Sequence, residues 1–181
     1  VSGVRHIVVT GLMGAGKTTV GRALADRLGW RLSDSDAEIS ARAGVTVREL
    51  HRRDGVNAMH DAEARHLVEA LGSPGHSVIC AAASVIDRPA CQVAMRHPGV
   101  LTIWLRGSPV TLAKRFNHDA HRPLFDGRPA TFLATQAAAR DARYRKTASL
   151  IVDVDGRTPS EVIACAARLL ADNGVVCSAD G

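Results

Sequence analysis

Eight residues carry the most legible chemistry of this chain: Gly11-Leu12-Met13-Gly14-Ala15-Gly16-Lys17-Thr18. Glycines at these places let the backbone curl so that successive N–H groups face one anion. A helical pattern begins at Lys17, which adds the positive end of a helix dipole. A lysine followed by a hydroxyl residue then divides the work: Lys17 reaches the outer phosphates of a nucleoside triphosphate, and the Thr18 hydroxyl holds magnesium. Gly14, Ala15, Gly16 and Thr19 complete the expected contacts with the nucleotide.

Two carboxylates follow at Asp34-Ser35-Asp36. If both leave one strand end, their i, i+2 spacing puts them on the same side. Asp34 is expected in the metal shell and Asp36 beside an acceptor hydroxyl, where it takes the proton as general base. The chemistry implied is phosphoryl transfer from ATP, with Mg2+, to a small molecule.

These residues need a scaffold that brings strand ends together. Short apolar runs at 6–10, 30–33, 77–81, 100–105 and 150–153 alternate with helical patterns at 17–28, 36–42, 47–53, 58–71, 90–96, 109–116, 130–147 and 159–172. Such alternation is the sequence form of βα units around a parallel sheet. The fold expected is α/β: a P-loop NTPase three-layer α/β/α sandwich with a five-stranded parallel sheet and a mobile lid. Residues 1–181 read as one domain, with the lid at about 117–129 and a frayed tail at about 173–181. Thr46 with Glu49 marks a capping box, and Pro159 fits a first helical turn.

Composition narrows the partners. Hydrophobic residues make up 46% of the chain and no apolar run is long enough to span a bilayer. The net charge of +5 suits an anionic ligand, but aromatics are only 3%, which argues against stacking on single-stranded nucleic acid. Cys80, Cys91, Cys165 and Cys177 are scattered rather than paired for zinc or dithiol chemistry. A cytoplasmic monomer acting on a small hydroxylated substrate, with no nucleic acid and no membrane partner, is expected. The sequence has no base-reading Asn-Lys-x-Asp segment of GTPases, and the run at 77–81 ends in alanines rather than an acid.

Taken in order, the loop at 11–18, Asp34-Ser35-Asp36, residues 44–50, Glu63, Arg122-Pro123-Leu124 and Arg140 with Tyr144 resemble the shikimate kinases. The resemblance implies that Arg115 packs against adenine, flanked by Arg157 and Pro159. It also implies that Arg122 approaches the transferring phosphate from the lid and that Arg140 binds the acceptor. Two departures fall on the acceptor side. Met59-His60 stands where the family has Phe-Arg, and Ala81-Ala82-Ala83 stands where it has three glycines. Losing a bidentate arginine contact to a carboxylate costs ~2–4 kcal/mol of binding. The added methyls of Ala82 and Ala83 reshape the pocket around them. The acceptor expected is therefore shikimate or a related polyhydroxylated molecule. A gluconate or other carbohydrate kinase, a nucleoside monophosphate kinase and a non-catalytic nucleotide-binding regulator remain as alternatives.

Overall fold

The computed structural model describes residues 3–116 and 128–175. In chain order the elements are β1 (His6–Thr10), α1 (Lys17–Leu28), β2 (Arg31–Asp34), α2 (Ser35–Ala43), α3 (Val47–Gly72) and β3 (Ser77–Cys80). A short 3-10 turn, Ala83–Asp87, leads to α4 (Pro89–Met95), β4 (Val100–Arg106), α5 (Pro109–Phe116), α6 (Pro129–Thr147), β5 (Leu150–Asp153) and α7 (Pro159–Asp172). The strands form one parallel sheet in the order β2-β3-β1-β4-β5, flanked by helices. The lid signature Arg122-Pro123-Leu124 lies outside the described residues, as do Cys177 and most of the tail.

The central strand explains the apolar run at 6–10. Ile7, Val8 and Val9 are wholly buried, as expected for a parallel strand covered on both faces. Each such side chain contributes about 1.5–3 kcal/mol relative to exposure. Register then fixes the site: Val9 pairs with Cys80, and Cys80 pairs with Asp34. The carboxyl ends of β1, β3 and β2 thus lie side by side, the edge where open α/β sheets bind ligands.

Local chemistry sets the helix boundaries. Asp34 caps α2 by accepting from the backbone N–H groups of Asp36 and Ala37 at 3.1 and 3.3 Å. Asp36 therefore stands in the first helical turn, not on the strand. This corrects the expectation that both acids leave one strand end. The helices expected at 47–53 and 58–71 run together as α3, broken only by Gly55 at φ +86° and ψ 169°. Thr46 caps α3 through Glu49 N–H, but the Glu49 carboxylate turns to Arg52, so half of the expected capping box is made. The reciprocal box forms at α7 instead, between Thr158 and Glu161.

One close approach welds α1 to the sheet. A side chain at Gly21 would run into the Cys80 sulfur, and Cys80 in turn donates to the Lys17 carbonyl at 3.3 Å. Gly21→Ala is expected to destabilise the protein by about 1–3 kcal/mol through overpacking. Adding Cys80→Ala, which removes the clashing sulfur, should restore most of that loss in urea unfolding. Additive losses in the double variant would show that the contact does not set the helix position.

Candidate active site

The phosphate loop joins β1 to α1. Gly14 sits at φ +79° with no room for a side chain, because a Cβ there would strike the Leu112 carbonyl. Gly16, also left-handed, is the N-cap of α1. Ala15 is buried beneath the loop, and Thr19 is exposed on the first turn of the helix. Lys17 is 7% exposed and its ammonium donates to the carbonyls of Gly11 and Leu12 at 3.0 and 3.2 Å. The lysine thus lies across the mouth of the loop, at the place where an anion would compete with those carbonyls for it.

Thr18 connects the loop to the next strand: its hydroxyl donates to Asp34 Oδ2 at 2.8 Å. A hydroxyl and a carboxylate side by side are hard oxygen ligands of the kind magnesium takes together with phosphate oxygens and water. Among the described residues no cluster of three or more His, Cys, Asp or Glu could hold a metal. A magnesium ion held mainly by phosphates and one or two protein oxygens fits that donor set.

Beside the loop opens a cavity of about 320 Å³. Lys17, Thr18, Asp34 and Asp36 line its phosphate end. His60, Glu63 and Arg140 line the other, with Ala81, Ala82 and Ala83 from the end of β3. The alanine backbone is unstrained, with Ala82 at φ −61° and no positive φ at any described residue other than glycine. Tyr144 holds this turn in place, donating its hydroxyl to the Ala83 carbonyl at 3.1 Å while its ring stacks on Trp104.

Charge is unevenly held around the cavity. Burial raises the pKa of Glu63 to about 7, against a hydrogen bond from the Ser84 hydroxyl that favours the ionised form. The Asp36 charge adds to the rise, and Lys17 and Arg140 oppose it. Burial, and next the nearby Arg140 charge, lower the His60 pKa, so the imidazole is neutral at pH 7. Burial pushes the Cys80 thiol up to about 12, leaving it protonated at the floor of the site. Arg140 is bound to Asp87, from Nε at 2.9 Å and Nη2 at 2.6 Å.

Arg115, Arg157 and Pro159 gather elsewhere, outside the cavity walls. Arg115 Nη2 donates to the carbonyls of Val154 and Arg157 at 2.9 and 2.8 Å, and Pro159 opens α7 just beyond. This cluster ties α5 to the loop after β5, on the helix that also carries Leu112 beneath Gly14. Arg122 lies outside the described residues. Two cavity features, Ser84 and the apolar wall that includes Phe132 and Leu133, were not assigned from sequence, nor was Asp87, which holds Arg140 from behind the lining. Asp87 lies 53 residues from its arginine, and no short-range pattern marks such a pair.

The parallel sheet, the glycine loop ending in lysine and threonine, and the acids at the neighbouring strand end define a P-loop phosphotransferase. The shikimate kinase family model matches residues 13–171. A shikimate kinase of Ralstonia nicotianae is 35% identical over 96% of this chain and 90% of its own length. One from Thermobifida fusca is 39% identical, covering 91% of each chain. The solved structure of an Acinetobacter baumannii shikimate kinase in complex with shikimate superposes with a TM-score of 0.86 at 26% identity, over 94% of both chains. The chain belongs to the shikimate kinase family, ATP-dependent phosphotransferases that use Mg2+.

The raised pKa of Glu63 links stability to pH. A group whose folded pKa lies above its unfolded value of 4.5 contributes fully below pH 4.5 and loses that contribution as pH rises through about 7. Between these values the wild type should lose about 3 kcal/mol relative to Glu63→Gln, whose side chain stays neutral. Urea unfolding at pH 5, 6, 7 and 8 measures this; parallel pH profiles for the two proteins would contradict the burial of an ionising Glu63.

Proposed function

We propose that the chain transfers the γ-phosphoryl group of ATP to a hydroxyl of shikimate or a closely related polyhydroxylated molecule seated in the 320 Å³ cavity. One observation carries this reading: the Thr18–Asp34 hydrogen bond fastens the phosphate loop to the strand end from which Asp36 enters the same cavity. Bound ATP supplies the phosphoryl group, and magnesium shields its charge.

The residues then divide the reaction. Lys17 exchanges its two carbonyl partners for the outer phosphates, and Thr18 with Asp34 takes the metal. Asp36 orients the acceptor hydroxyl and accepts its proton as the oxygen attacks the γ-phosphorus and the bond to the β,γ-bridging oxygen breaks, releasing ADP. Arg140, already fixed by Asp87, orients the far side of the acceptor. Arg115, Arg157 and Pro159 form the adenine side, and Arg122 serves the transferring phosphate from a cover spanning about 117–129. This reading treats 1–181 as one catalytic domain, acting as a cytoplasmic monomer on small molecules alone. Its reduced cysteines fit that setting: Cys80, Cys91 and Cys165 are free. Among the described residues no helix is long and apolar enough to cross a membrane. The carbohydrate-kinase and regulator alternatives have less support, since the relatives at 35% and 39% identity over most of the chain are shikimate kinases.

Asp36→Asn removes the proton acceptor with little change in shape. It should lower kcat by about 10²–10⁴-fold while ATP affinity stays within a few-fold of wild type. ADP release with a panel of polyhydroxylated acceptors, shikimate included, together with ATP calorimetry, checks both numbers. Retention of full turnover by Asp36→Asn would exclude the assigned role.

A further inference from the structure

The acceptor end of the cavity holds its charges in an arrangement that bears on which molecule it accepts. Apart from Lys17, Asp34 and Asp36 at the phosphate end, the charge-bearing side chains among the described lining residues are Glu63, the imidazoles of His51 and His60, and one guanidinium, Arg140. That guanidinium is already committed, since Nε and Nη2 both donate to Asp87. Asp87 is shared with Arg143 at 3.0 Å, but the Arg143 side chain is 48% exposed and its charge is screened by water. Arg88, the other arginine whose charge reaches His60, is paired with Asp61 at 2.5 Å. His60 itself sits on the cavity wall as a neutral imidazole at pH 7, and around it the wall is apolar, with Val56, Met59 and Phe132.

A carboxylate brought into this chamber would lie near Asp36 and beside Glu63, whose own ionisation burial already opposes, and would surrender its water to an apolar wall. Burying an ion without a cation committed to it is strongly unfavourable. A hydroxyl or hydroxymethyl group asks for neutral hydrogen bonds alone. His60, Gln136 and Ser84 line the cavity and offer groups of that kind. Arg140 also fits, since Asp87 engages Nε and Nη2 and leaves Nη1 outside the pairing.

We propose that the acceptor site selects an uncharged polyol, a hydroxylated ring or sugar bearing neither carboxylate nor phosphate, and that His60 is the residue that sets this preference. The proposal narrows the phosphotransfer reading above and rests on it. Within that reading, His60 is the position where a permanent cation would change the class of substrate, because it faces the chamber beside Arg140, and Asp87, the acid whose charge reaches it, is already engaged by Arg140 and Arg143.

A matched pair of acceptors tests it: shikimate, and the same ring with its carboxylate reduced to hydroxymethyl. Steady-state kcat/KM is measured for wild type, His60→Arg and His60→Gln, with ATP affinity as a control for folding. Wild type should favour the neutral acceptor by at least about tenfold. His60→Gln, which stays neutral, should keep that preference. His60→Arg should move the ratio toward shikimate by about 10–100-fold, mainly through a lower KM for shikimate. Wild-type turnover of shikimate equal to or above that of the neutral acceptor overturns the proposal and leaves ATP-dependent transfer standing. An unchanged ratio in a folded His60→Arg protein overturns the role given to His60. Absence of turnover with both acceptors and the wider panel, despite ATP binding, removes the phosphotransfer reading and this proposal with it.

Discussion

The hydrogen bond from Thr18 to Asp34 joins two parts of the site that are 16 residues apart in sequence. On one side lies a loop shaped by left-handed glycines, and on the other the end of β2 and the start of α2. Neither contributes chemistry alone: the loop gathers an anion, and the strand end supplies carboxylates. Their proximity follows from sheet register, since Val9, Cys80 and Asp34 align across β1, β3 and β2. Asp34 also caps α2, so the same carboxylate that fits a metal shell holds Asp36 at the helix N-terminus. The helix dipole there favours a negative charge at the first turn of α2.

The acceptor side is built by longer-range pins. Arg140 on α6 is fastened to Asp87 in the 3-10 turn, and Tyr144, one helical turn later, is fastened to Ala83 in the same turn. Glu63 from α3 meets Ser84 there as well. Residues 83–87 are thus the hub to which two helices, α3 and α6, are pinned. With the alanines at negative φ, this segment is rigid without help from glycine. The family likeness covers the whole frame, while the residues that would grip an acceptor are the ones that depart from the family pattern.

Much of the frame was legible in the sequence because its signals are local. A buried central strand is a continuous apolar run, and a phosphate loop is a short spacing of glycines, lysine and threonine. Pro159 marked a helix start, and 150–153 read as a strand from its short apolar run. Asp36 was legible as a site residue at the start of the helical run 36–42, but the cap that holds it there was not, because it is a tertiary compromise: Asp34 serves Thr18 and two backbone amides together. Thr46 with Glu49 and Thr158 with Glu161 show the same limit. Both have the capping-box spacing, yet only the second closes, because Arg52 competes for Glu49. The Arg140–Asp87 pair and the Gly21–Cys80 contact join residues far apart in the chain, so no window of sequence reveals them. Arg122, the expected lid residue, lies outside the described residues.

As proposed above, the loop amides, the Lys17 ammonium and the Thr18–Asp34 oxygens would together hold a triphosphate through magnesium. Calorimetric titration of ATP into wild type and Lys17→Ala, each with and without magnesium, tests it most directly. Magnesium should strengthen wild-type binding, and loss of the lysine should weaken it by about a hundredfold. Equal ATP affinity in the two proteins, or wild-type binding indifferent to magnesium, would contradict it.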